Sequence, residues 1–261
     1  MQATGHGAVP LNSDTLLVHT GRMNECTVDP ARRIARVGAG VLSRQLLEAA
    51  APHGLAPLVG SAGSVGVAGY LSGGGIGPLV STYGLSSDYV RSLDVVTGDG
   101  QVRHVTPAQH PDLFWGLRGG KATLGIITAV ELDLLPVSTI YGGALYFNGA
   151  DAAEVLHAWS RWSASLPEQS TTSIALAQLP AQPFIPPTLA GRLTVAVRYA
   201  SIAGPGQAEE LLAPMRAAAT PVLDRVGELA FSDIGRIHDE PDSPVPCLLY
   251  TSDAADDLTR V

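Results

Sequence analysis

The sequence has 261 residues, 46% of them hydrophobic, a net charge of −8 and a mean hydropathy of +0.20. That length can build one large domain or two ordinary ones with ample core, and the acidic balance excludes the basic face that a nucleic-acid partner requires. No apolar run approaches the roughly 18 residues of a membrane span, and no charged segment followed by an apolar block marks a signal peptide.

Cys26 and Cys247, the two cysteines, form neither a disulfide framework nor a metal site, so a reducing, cytoplasmic compartment without membrane or metal is expected. Early in the chain, Gly5-His6-Gly7 sets a histidine on a bendable loop. From these residues alone a solvent-facing role is at least as natural as a chemical one. Leu16-Leu17-Val18 reads as a short buried strand, Val28 to Arg32 as a turn, and Arg33 to Val37 as a half-buried strand broken by Gly38-Ala39-Gly40. Ser43 is expected to cap a helix carrying Leu46, Leu47 and Ala50, which Pro52 and Gly54 stop.

The stretch from Gly60 to Gly77 is rich in glycine, carries no charge and has small residues almost throughout. Glycine weakens a core, because it adds entropy to the unfolded chain and packs no side chain. It does let the main chain approach a flat or charged ligand, and converging N–H groups can form an anion-binding nest. A flexible linker is the alternative. Val65, Val67, Leu71 and Ile76 are spaced through the run as if packed, which favours the cradle.

Farther on, Leu93 to Val96 and Gln101 to Val105 flank Gly98-Asp99-Gly100 and predict a hairpin. Pro111-Asp112 opens a short helix whose Leu113, Phe114, Trp115 and Leu117 look like core. Arg118-Gly119-Gly120-Lys121, which holds the only lysine, feeds what reads as the longest strand, Leu124 to Leu135, ended by Pro136.

A domain boundary is placed at residue 137. Beyond it the pattern predicts a strand (Tyr141 to Phe147), a helix (Asp151 to Ser165) with Trp159 and Trp162 in core positions, strands at Ser173 to Gln178 and Arg192 to Tyr199, and a helix (Gln207 to Ala219). The expected organisation is a cofactor domain over residues 1–137 and a partial substrate domain over 138–246. Residues 247–261 depart in style and are read as a non-native tail.

The Gly-x-Gly-x-x-Gly fingerprint fails at both glycine clusters, since a proline follows Gly77 and Ser43 stands where the third glycine would belong. Lys121 is followed by Ala122, so no phosphate loop of the Gly-Lys-Ser/Thr type occurs. A different pattern does occur in order: Gly5-His6, the Gly60–Gly77 loop, Tyr83-Gly84-Leu85, Pro111-Asp112-Leu113-Phe114-Trp115, and Arg118-Gly119-Gly120 leading to Leu124-Gly125-Ile126-Ile127-Thr128.

Together these resemble the FAD-linked oxidases of the p-cresol methylhydroxylase/vanillyl-alcohol oxidase superfamily, in its berberine bridge enzyme-like branch. The resemblance covers residues 1–137 closely and continues more loosely to about residue 246. It implies an α+β fold: the second FAD-binding subdomain, with a mixed or antiparallel sheet and helices, followed by part of an α/β substrate domain with an antiparallel sheet. It also implies an internal piece of a longer protein, inactive by itself.

The resemblance further implies FAD joined to the protein by one covalent link, from the ring nitrogen of His6 to the flavin 8α-methyl carbon. A second link would need a cysteine where Ala62 stands. By the same resemblance Gly5 belongs to the histidine loop, Val65 lines the oxygen side, and Gly60, Ser61, Ser64, Gly66 and Gly69 offer main-chain or hydroxyl contacts. Gly125 and Ile127 close the other side.

The implied reaction is two-electron oxidation of an alcohol, amine or sugar carbon of a small-molecule substrate, with hydride passing to flavin N5 and dioxygen as acceptor. A dehydrogenase on the same fold and a catalytically silent FAD-binding domain are the alternatives. No residue matches a catalytic base, and His53, His104, His110, His157 and His238 are expected at the surface.

Overall fold

The computed structural model describes residues 2–6 and 12–240; the proposed tail, 247–261, lies outside the described residues. Two antiparallel sheets organise the chain. The first contains β1 (Cys26–Asp29), β2 (Ile34–Gly38), β3 (Val90–Val96), β4 (Val102–Val105) and β5 (Ile126–Asp133), in the order β1-β2-β5-β3-β4. Its covering helices are α1 (Ser43–Ala50), α2 (Val67–Ser72) and α4 (Pro111–Leu117), while α3 (Val80–Tyr83) reaches toward the second sheet. Alternation along β2 and β5, with a register shift between Ile127 and Ala129, places Ala35, Val37, Ile127, Val130 and Leu132 in one core. There they meet Leu46, Val67, Leu71, Phe114 and Leu117.

The second sheet contains β6 (Thr139–Asn148), β7 (Ser170–Gln178), β8 (Leu193–Ser201) and β10 (Gly227–Ala230), ordered β10-β6-β8-β7, with β9 (Leu223–Asp224) also on β6. Leu145, Phe147, Val195, Val197 and Tyr199 pack beneath α5 (Ala152–Ser163) and α6 (Pro205–Ala218), against Val155, Trp162, Leu212 and Met215. The indole N–H of Trp162 donates to the Leu211 carbonyl at 2.7 Å, and that of Trp159 to Thr172 Oγ1 at 3.1 Å. Both tryptophans are therefore structural. Gly143 has φ 143°, and a Cβ there would lie 2.2 Å from the Arg225 carbonyl oxygen, so only glycine lets β6 pass the β9–β10 connection.

A third core joins the two layers. Leu47, Leu58, Val59 and Leu79 from the first meet Ile140, Leu229, Phe231, Ile234 and Ile237 from the second. Each such buried side chain contributes on the order of 1.5–3 kcal/mol. The hydroxyl of Thr82 also donates to the Glu168 carbonyl at 2.7 Å, and the Ser81 N–H to Thr171 Oγ1 at 3.1 Å. Residues on both arms of the glycine-rich stretch are thus held between two packed layers.

Several local expectations change. Leu16-Leu17-Val18 forms no strand; Leu16 is 88% exposed, and pairing there amounts to a single parallel bridge between Gln2 and His19. Three apolar residues with one bridge cannot propagate a ladder. Val28 and Asp29, read as part of a turn, belong to β1, where they pair with Ala35 and Ile34. Leu42, not Ser43, is the N-cap of α1, and the Gln45 side chain accepts from the Leu42 N–H at 2.8 Å.

Among the described residues the longest strand is β6 with ten residues, while β5 spans eight. Trp115 is 77% exposed, because Phe114 and Leu117, three apart, point α4 inward and turn Trp115 roughly 100° away. Ile76, expected to pack, is 72% exposed. His238 is not at the open surface: its Nδ1 is buried, with no hydrogen-bond partner among the described residues.

Candidate flavin site

The N-terminus of α1 shapes the glycine-rich loop. The Ser43 N–H and hydroxyl both donate to the Val65 carbonyl, at 2.9 and 3.1 Å, and the Arg44 N–H donates to the Gly63 carbonyl at 3.0 Å. One turn of helix thereby uses its free N–H groups to hold the loop. The Val67 N–H donates to the Val41 carbonyl at 2.9 Å and fixes the start of α2. Beyond α2 the chain reverses through Gly74 and Gly75, at φ 96° and 77°. A Cβ on Gly75 would sit 2.8 Å from the Tyr70 ring and 2.9 Å from Ser86 Cβ. The Ser86 and Ser87 N–H groups then donate to the carbonyls of Gly75 and Gly74, each at 2.9 Å.

These constraints leave a cavity of about 500 Å³ between α2, the segment Gln2–His6 and the 3-10 turn Lys121–Leu124. Gly5, His6, Val65, Gly66 and Gly69 all line it. A Cβ on Gly69 would meet nothing within 4 Å, so this helix face is open. Ile76 also lines the space, which explains its exposure.

The other five residues singled out in the sequence lie elsewhere. Gly60 faces the Tyr70 ring, and the Ser61 hydroxyl donates to the Glu240 carboxylate at 2.7 Å. Ser64 is half-buried on the loop outside the cavity wall. Gly125 (φ 153°) lies against β3, where a Cβ would come within 2.5 Å of Val95 Cγ1, and Ile127 is buried in the first core.

Sequence reading missed Lys121, Tyr70 and Gly73 as walls of the cavity. Lys121 adopts φ 60°, and its ammonium lies against Gly73, where a Cβ would come within 2.4 Å of Nζ. The available signal was a sole lysine inside a loop of small residues. Tyr70 accepts a hydrogen bond from the Ser86 hydroxyl at 3.2 Å, and burial raises its pKa.

The wall chemistry fits a flat, anionic dinucleotide. Glycines supply close approach, α2 is open at Gly69, and one ammonium can meet phosphate or flavin charge. Among the described residues no group of three or more His, Cys, Asp or Glu could hold a metal ion, and no helix is long and apolar enough to cross a membrane.

The α+β fold, with its two antiparallel sheets, matches part of a known FAD-oxidase fold. Residues 1–106 match the family model of the FAD binding domain. The chain is 37% identical over 123 residues to (R)-6-hydroxynicotine oxidase of Paenarthrobacter nicotinovorans, covering 47% of this chain and 27% of that one. It is 28% identical over 169 residues to the uncharacterized FAD-linked oxidoreductase YgaK of Bacillus subtilis, covering 63% and 38%.

Among solved structures, 6-hydroxy-D-nicotine oxidase of Arthrobacter nicotinovorans superimposes with a TM-score of 0.74 at 25% identity, over 85% of this chain and 48% of that one. The berberine bridge enzyme-like protein 1 of Physcomitrella patens shares the fold, with a TM-score of 0.68 at 19% identity, over 81% and 44%. The chain thus spans about a quarter to two fifths of these curated relatives and less than half of the solved ones.

Proposed function

We propose that this chain is the flavin-holding part of an FAD-dependent oxidoreductase that oxidises a small molecule at an alcohol, amine or sugar carbon. The observation that supports this most is the convergence of His6, Val65, Gly66 and Gly69 on one cavity, although 59 positions separate the histidine from the valine. The cofactor, when bound, supplies a two-electron acceptor at N5. His6 anchors it through a single covalent bond, since Ala62 offers no thiol. Gly66 and Gly69 present main chain to its flat face, Lys121 supplies the positive charge, and Val65 walls the side from which dioxygen approaches.

Acid precipitation tests the anchor. Yellow colour should stay with the precipitated protein, and His6→Ala should release it to the supernatant. Mixing the substrate-reduced protein with air then distinguishes an oxidase from a dehydrogenase: fast reoxidation supports dioxygen as acceptor, and a slow bimolecular rate assigns another.

A further inference from the structure

A second cavity, of about 120 Å³, opens on the face of the second sheet opposite α5 and α6. Its floor is apolar, with Ala175, Ala177, Leu179, Ile185, Leu189 and Ala196. Five polar residues line it as well: Tyr146, Thr194, Arg198, His238 and Asp239. Arg198 stands on β8 between Ala144 of β6 and Ser173 of β7, half-buried. Among the described residues its guanidinium makes neither an ion pair nor a hydrogen bond, unlike Arg216 and Arg225.

The nearby carboxylates are engaged elsewhere. Asp239 pairs with Arg225 at 2.5 Å, and Glu240 accepts from the Ser61 hydroxyl at 2.7 Å. Burial lowers the pKa of Arg198, while Glu240 and then Tyr146 pull it back up. A partly desolvated guanidinium that makes no ion pair is available to an incoming carboxylate. Beside it the buried His238 Nδ1 also lacks a partner among the described residues.

We infer that this cavity is a carboxylate-recognition site, in which Arg198 grips the carboxylate of a small monocarboxylic acid and the apolar floor holds its ring or short chain. Guanidinium and carboxylate match in planar, bidentate geometry. The space suits one ring. Asp239 in the cavity wall is followed by Glu240, whose carboxylate accepts from Ser61 of the glycine-rich loop. The inference rests on the flavin-dependent oxidation proposed above and narrows its substrate class to carboxylates.

The test is titration of the 261-residue chain with benzoate and with benzyl alcohol as neutral isostere, followed by NMR. Benzoate should bind at least about tenfold more tightly than benzyl alcohol, a margin of about 1.4 kcal/mol. Arg198→Met should abolish that preference and leave benzyl alcohol binding within about twofold, while Arg198→Lys keeps part of it. Equal binding of the two probes, no binding of benzoate, or an unchanged preference in Arg198→Met overturns the inference. Circular dichroism checks each variant, and if Arg198→Met does not fold, loss of about half or more of the preference in Arg198→Lys decides. Flavin retention after acid precipitation is measured on the same samples. Loss of flavin with intact benzoate preference sinks the cofactor reading alone, and the reverse sinks the carboxylate site alone.

Discussion

The hydroxyl of Ser61 donates to the Glu240 carboxylate across 2.7 Å, joining the glycine-rich loop to a segment 179 positions later in the chain. Glu240 also sits close enough to Arg198 to raise its pKa. Replacing Ser61 by alanine should therefore cost about 1 kcal/mol in urea denaturation. It should also weaken benzoate binding, because the released carboxylate can compete for the guanidinium. A variant with full stability and unchanged benzoate affinity would show that the bond does neither.

His6 is exposed, and its backbone N–H donates to Thr4 Oγ1 at 3.4 Å. With so little packing at stake, His6→Ala should leave urea stability within about 0.5 kcal/mol of the parent. All covalently retained flavin should be lost. Flavin fluorescence on the denatured gel band of parent and variant measures this directly.

Gly69 and Gly75 separate cofactor binding from folding. A side chain at Gly69 enters open cavity, so Gly69→Val should abolish flavin loading with near-native circular dichroism. The helix propensity change is minor by comparison. At Gly75 the left-handed φ and the 2.8 Å approach to Tyr70 make Gly75→Val destabilising by about 2 kcal/mol or more. Thermal melts and absorbance at 450 nm on both variants check the contrast.

His238 introduces a pH dependence. Burial, and then the Arg198 charge, lower its pKa from 6.5 to about 4, while Glu240 opposes them. The unfolded chain therefore takes up this proton before the folded one as pH falls. Stability from this group is fully present above pH 6.5, declines between 6.5 and about 4, and changes no further below that. His238→Phe should flatten that part of the curve of melting temperature against pH, and an unchanged slope would remove His238 as its cause.

Much of this molecule was legible locally. The hairpin around Asp99 formed because Thr97 and Arg103 donate to its side chain and Gly100 adopts φ 77°. The helices carrying Trp162 and Met215 follow their 3.6-residue apolar spacing. The small, uncharged character of the glycine-rich loop was legible too, and five of the ten residues expected to hold the cofactor line one cavity. What failed were short apolar runs with no periodicity to test, such as Leu16–Val18, and single residues such as Trp115 whose orientation depends on its neighbours' packing. The segment from Leu223 to Ile237 gave no pattern, yet it supplies Phe231, Ile234 and Ile237 to the inter-layer core.

By itself, then, the sequence determined the helices, the hairpin and the chemical character of the loop, because these depend on residues within a few positions of one another. Only the tertiary structure decided that Lys121 joins His6 on one cavity, that Ser61 engages Glu240, and that Arg198 makes no direct ion pair among the described residues. Those outcomes depend on how two antiparallel sheets stack, and charges become partners or orphans only once distant strands have chosen their neighbours. Hydrophobic spacing is periodic and local, whereas electrostatic pairing has no period along the chain.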